Sequence, residues 1–109
     1  MFFKRSKREA SADSLYRSLN LYNENDYLNS HPDVAAAVRR GDFQSGFDHF
    51  RKSGLAEGRF PGFDGFDHVK YLERNPDVAL SLKGKNEDTL AGARDHFRRS
   101  GYVEGRNWD

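Results

Sequence analysis

Asp48-His49 with Ser53, and Asp95-His96 with Ser100, carry the letters of a Ser-His-Asp relay. In such a relay a carboxylate orients an imidazole that draws a proton from a hydroxyl. The spacing argues against it. Adjacent residues on a helix do not face each other, so Asp48 cannot orient His49. Ser53 falls near a helix C-terminus, away from any oxyanion donor. The same letters also occur twice, which suits a duplicated scaffold better than one active centre. Each histidine precedes an apolar Phe50 or Phe97 and is expected at the boundary between core and solvent, hydrogen-bonded to a neighbour.

Metal and nucleotide chemistry find no better footing. The four histidines, His31, His49, His68 and His96, include no His-x-x-x-His pair, and the chain has no cysteine. A zinc site needs three or four converging ligands, so no metal and no cofactor is expected. Asp64-Gly65-Phe66-Asp67 resembles a fragment of a calcium loop but lacks the EF-hand spacing and the closing bidentate Glu. Neither glycine-rich phosphate motif occurs. Glu57-Gly58-Arg59 and Glu104-Gly105-Arg106 read as turns tied to a neighbouring helix by charge-assisted hydrogen bonds. The functional alternative makes Arg59 and Arg106 clamps for a glycan or phosphate, with Trp108 as an exposed stacking ring. The chain is not expected to be an enzyme.

The elements that carry these residues follow from composition. The chain has 109 residues, a net charge of +1 and 36% hydrophobic residues, a thin core for one small domain. Isoleucine is absent, and Val and Thr together number six, whereas Phe and Tyr number nine and five. Strands favour β-branched residues, so an all-α fold of short helices packed through aromatic rings is expected. No apolar run is long enough to span a membrane.

Charge is concentrated at the start. Residues 1–9 carry a net +3 and the remaining residues a net −2. The segment with Phe2, Phe3, Lys4, Arg5, Lys7 and Arg8 has no apolar stretch behind its basic cluster, so it is not a secretory signal. Synthesis in the cytoplasm is the corresponding expectation. The segment reads as a disordered basic arm over residues 1–11, available to dock on an acidic surface.

The strongest signal is an internal repeat. Tyr27 to Ala35 matches Tyr71 to Ala79 at six of nine positions, at an offset of 44. Asp48 to Arg59 matches Asp95 to Arg106 at nine of twelve, at an offset of 47. A unit of roughly 45 residues lies in the length range of helical repeats. Each unit parses into three helices. The first starts at an Asx cap, Asn23 or Asp67, and the second at Pro32 or Pro76 with Asn75 as a cap. The second is expected to stop at Gly41 or Gly84, and the third at Gly54 or Gly101. The third carries Phe43, Phe47 and Phe50 on one face, or Leu90, Ala93 and Phe97. An extra helix from Ala12 to Asn20, with Leu15 and Leu19 buried, precedes the first unit. The expected domains are residues 1–11 (arm), 12–62 (N-terminal helix and repeat 1) and 63–109 (repeat 2). The aromatic linker Phe63-Asp64-Gly65-Phe66 is expected to pack between the units.

The pattern Tyr-Leu-x-x-Asn-Pro-Asp-Val-Ala followed by His-Phe-x-x-x-Gly-x-x-Glu-Gly-Arg resembles a tandem helical repeat of bacterial, chiefly alphaproteobacterial, proteins. The resemblance covers residues 22–60 and 66–106, and departs from the pattern at His31, where the second unit has Asn75. It implies a non-catalytic module of the kind found beside glycosyltransferase domains and in surface-associated chains, and it transfers no catalytic residue. A small version of such a module is expected in a surface fibre or as a head-spike component of a phage-like or gene-transfer particle.

Three readings of function result. The first is a structural or adaptor protein docked to a capsid, fibre or envelope component, incorporated into a released particle, touching polysaccharide, and self-associating. The second is a carbohydrate-binding accessory module of polysaccharide synthesis. The third is a nucleic-acid or membrane-surface accessory acting through the basic arm, the least favoured partners given the balanced charge of the rest.

Overall fold

A computed structural model describes the backbone of residues 12–85 and 88–108, with side chains from residue 17 onward within those ranges. The expected basic arm, with Phe2, Phe3, Lys4, Arg5, Lys7 and Arg8, and the Leu15 side chain lie outside the described residues. Every regular element among the described residues is helical. The chain divides at Asp64 and Gly65 into two compact units.

In the first unit, α1 (Ala12–Leu21) precedes α2 (Glu24–Ser30) and α3 (Pro32–Arg39). A third helical stretch follows as α4 (Gly46–His49), a π-helical turn π1 (Phe50–Gly54) and α5 (Leu55–Glu57). The second unit has α6 (His68–Arg74), α7 (Pro76–Gly84), α8 (Thr89–His96), π2 (Phe97–Gly101) and α9 (Tyr102–Glu104). Local chemistry sets the starts. Asn23 accepts from the Asp26 amide at 3.0 Å, and Asp67 from the amides of Val69 and Lys70. Pro32 and Pro76 open α3 and α7, where a missing N–H costs no hydrogen bond.

Several expected boundaries move. Asn75 stands at the N-cap position of α7, but its side chain makes no capping bond: Oδ1 accepts from Arg106, and Nδ2 donates to two carbonyls. Gly41 does follow α3 with φ +87°, whereas Gly84 is still helical and Lys85 forms the C-cap. Gly54 and Gly101 do not end their helices. The left-handed residues are Gly58 and Gly105, at φ +75° and +74°. Around each the backbone closes a Schellman motif, with Gly58 N donating to Leu55 O and Arg59 N to Gly54 O. The second unit repeats it with Gly105 and Arg106. That motif accounts for the recurring Glu-Gly-Arg.

The core of the first unit is Tyr27, Val34 and Phe50, flanked by Tyr22, Leu28, Val38 and Leu55. Tyr71, Val78 and Phe97 are equally buried in the second. Phe43 and Phe47 do not share a helical face with Phe50. Ser45 caps α4 through the Asp48 amide, so Phe43 lies before the helix, and Phe47 is 41% exposed. Leu90 is likewise exposed, while Ala93 and Phe97 point inward. Among the described side chains of α1, Ser18 and Leu21 are buried and Leu19 is exposed.

The aromatic linker is tied to its own units. Asp64 N donates to Leu21 O and Phe63 N to the Asp26 carboxylate, both within the first unit. Phe66 stacks on Phe97 at 4.6 Å, within the second.

Candidate functional site: the ties between the recurring blocks

In each unit three ties join the first recurring block to the second or to the residue that follows it, and these contain most of the residues singled out for chemistry. The first joins a tyrosine, a histidine and a glycine. Tyr27, in the middle of α2, is fully buried, and its ring stands edge-on to Phe50 at 5.3 Å. A buried phenol needs a partner, because an unpaired hydroxyl carries its full desolvation penalty. Tyr27 Oη finds His49 Nδ1 at 2.9 Å, and Tyr71 Oη finds His96 Nδ1 at 2.7 Å. Burial pushes the Tyr71 phenol up to about 12, so it stays neutral.

The hydroxyl lies directly against the third helical stretch. A Cβ placed on Gly54 would overlap Tyr27 Oη, and one on Gly101 would overlap Tyr71 Oη. Both glycines close a π-helical turn in which the following amide reaches back five residues, Leu55 to Phe50 and Tyr102 to Phe97. The glycines are retained for close approach to the tyrosine.

The second tie joins an aspartate to an arginine. Asp33 and Asp77 sit in the first turn of α3 and α7, where a carboxylate is favoured by the helix dipole. Arg59 clamps Asp33 bidentately at 2.9 and 2.7 Å, and its Nε reaches Glu57 at 2.7 Å. Arg106 does the same to Asp77, at 3.0 and 2.9 Å, and to Glu104 at 2.7 Å. The guanidinium hydrogen bonds hold Asp33 down to about 2 and lower Asp77, and both arginines are raised in return. Each arginine thus ties the helix-ending turn back to the start of the second helix. An incoming phosphate would meet two carboxylates already seated on the guanidinium.

The third tie was not legible as one. His31 Nε2 donates to the Phe60 carbonyl at 2.9 Å, which fixes the proton on Nε2. Asn75 Nδ2 donates to the matched carbonyl of Asn107 at 2.7 Å, and also to Tyr71 O. His31 and Asn75, which differ between the blocks, therefore have a bond in common rather than a cap. Burial lowers the His31 pKa, with the nearby Arg59 cation acting in the same direction. The available signal was that His and Asn both offer a donor at one matched position.

The remaining candidates are engaged in packing and capping. Asp48 does not orient His49. It accepts from the Gln44 amide and from Arg51 and Lys52, while Asp95 accepts from Arg98 and Arg99. The Gln44 amide is the leading cause that lowers the Asp48 carboxyl. Trp108, expected as an exposed platform for sugars, is only 7% exposed and packs near Phe97, so neither ring face is open. Its matched position in the first unit, Pro61, is also buried.

One further carboxylate has no equivalent in the second unit. Glu24 accepts from the Tyr22 hydroxyl at 2.6 Å and from the amides of Gly46 and Phe47, capping α4 from the start of α2. Burial alone would raise Glu24, but these three donors outweigh it and hold the carboxyl low. Burial and the adjoining carboxylate raise Tyr22.

Among the described residues, no buried side-chain nitrogen or oxygen lacks a hydrogen-bond partner. No group of three or more His, Asp or Glu side chains there is placed to hold a metal ion. No described helix is long and apolar enough to cross a membrane. No known protein family, curated protein or solved structure matches the chain.

Proposed function

We propose that the chain is a non-enzymatic structural or adaptor module: two tandem three-helix repeats, preceded by a helix and a basic arm, that dock into a larger assembly. The observation that supports this reading is the duplicated set of ties. Tyr27 bonds His49 against Gly54 in one unit, and Tyr71 bonds His96 against Gly101 in the other. Asp33 with Arg59 and Asp77 with Arg106 do likewise. Groups matched in both copies and committed to internal bonds belong to a scaffold. The repeat resemblance directs the partner towards a surface fibre, an envelope component or a phage-like particle.

A pull-down from lysate and from the extracellular particulate fraction tests this, using the full chain and a chain lacking residues 1–10. The proposal expects defined capsid, tail or surface-fibre proteins with the full chain, and their loss on truncation if the arm docks. Recovery of polysaccharide or glycosyltransferases irrespective of the arm would transfer the function to the repeats as a carbohydrate-binding accessory.

A further inference from the structure

The second unit holds an open groove of about 390 Å³ whose lining includes Ser81 of α7, Lys85 at its C-cap, and Asp95, His96, Arg99 and Ser100 from the third helical stretch. The matched surface of the first unit is closed. There the Asp42 amide bonds Ala37 O, the Gln44 amide bonds the Asp48 carboxylate, and Phe43 stands edge-on to His49 at 4.8 Å. Ala37, Asp48 and His49 are all buried as a result, whereas Ser81 is exposed and the Asp95 side chain is 47% exposed. The cause is local. In the second unit Asp88 caps α8 at Thr89, about one helical turn earlier than Ser45 caps α4. The residue matched to Phe43 is Leu90, which lies within α8 and is 41% exposed.

Two carboxylates and two cations line the groove. Asp77 is paired with Arg106, and Asp95 with Arg98 and Arg99. Among the described residues the Lys85 ammonium has no carboxylate partner, Arg99 keeps N–H groups beyond the one that meets Asp95, and the hydroxyls of Ser81 and Ser100 can donate or accept. A few polar groups converging on one concavity are what fix a small ligand's orientation. We infer that this groove binds a small ligand through an oxyanion, a carboxylate or a phosphate, which Lys85 and Arg99 neutralise and the two serine hydroxyls orient. The inference stands apart from any docking role, since it rests on the second unit alone.

The test is an amide-resolved NMR titration of the whole chain with sodium phosphate and, separately, sodium acetate, at neutral pH and constant ionic strength. The amides of Ser81, Lys85 and Ser100 should shift and saturate with at least one ion, while those of Ala37, Gly41 and Ser53 should not. The ion that saturates identifies the oxyanion class. Lys85→Ala and Ser81→Ala change exposed positions, and the latter installs the residue the first unit already has. The pair together should weaken binding about tenfold or more with the first unit's spectrum unchanged. Linear shifts with both ions, equal shifts in both units, or undiminished binding by the double variant would overturn the inference.

Discussion

In the first unit the histidine that meets the tyrosine is roofed by Phe43 and nearly sealed from solvent, while in the second its counterpart lies on an open groove. The tie beneath is the same in both, 2.9 Å against 2.7 Å. What surrounds it differs in coordinated ways. The first unit places Glu24 and the Tyr22 hydroxyl close to Gly46, where a Cβ would stand 2.9 Å from Leu28, 3.0 Å from Tyr22 Oη and 3.1 Å from Glu24. The second has Phe66, His68 and the fully buried Ala93 at those matched positions. Losing the hydroxyl and the carboxylate makes room for a methyl group. The ties between blocks are held constant, while caps and coverings change in compensating sets.

The largest effects should fall on what both units share. Phe50→Ala and Phe97→Ala should each cost ~3–5 kcal/mol, since each ring is fully buried. Denaturant unfolding followed by amide exchange in each unit checks this, and a much smaller loss in one unit would break the equivalence. Next comes a change specific to the first unit. Glu24→Gln should cost ~1–2 kcal/mol by weakening three bonds at the start of α4, with exchange accelerated around Gly46 and little changed in the second unit. Arg59→Ala and Arg106→Ala should each cost ~1 kcal/mol, because the ion pairs are bidentate but their aspartates are well exposed. Double-mutant cycles with Asp33→Ala and Asp77→Ala should return similar couplings.

The smallest effect separates the units by pH. His31 has its folded pKa below the ordinary 6.5, so the unfolded chain takes up the proton first as pH falls. The stabilisation is complete above 6.5 and is lost as pH falls through the folded value. Asn75 cannot titrate. His31→Asn, which supplies the donor the second unit uses, should leave the fold intact and flatten stability in that window. The Asp33 tie should persist to lower pH, weakening only between its ordinary 3.8 and about 2.

How much of this could be read from the residues follows from where the determining physics lies. The starts of α3 and α7 were legible because proline and aspartate act locally through φ and the helix dipole. The Glu-Gly-Arg turn was legible as a charge-assisted tie because an arginine beside a turn seeks a carboxylate, although its partner lies 26 residues away in the first unit. The close approach behind Gly54 and Gly101 was not, since a glycine within a helix looks like a terminator unless the tyrosine facing it is known. A π-helical turn leaves no periodic mark over five residues. Phe43 and Phe47 share helical spacing with Phe50, but Ser45 and Glu24 start the helix after Phe43. Trp108 offered chemistry only if exposed, and its burial depends on contacts far along the chain.

Tyr27 with Gly54, and Tyr71 with Gly101, are fitted pairs that hold the two blocks together. A double-mutant cycle of Tyr→Phe and Gly→Ala in each unit tests it most directly. Gly54→Ala alone should cost ~2–4 kcal/mol by displacing a buried, hydrogen-bonded hydroxyl. In the Tyr27→Phe background the hydroxyl is gone, and the added methyl faces the ring end at 3.1 Å and Phe50 at 3.3 Å. The account predicts that the double variant recovers more than about 1 kcal/mol of the summed losses, with the same sign in both units. Gly54→Ala tolerated on its own, or losses that simply add, would contradict it.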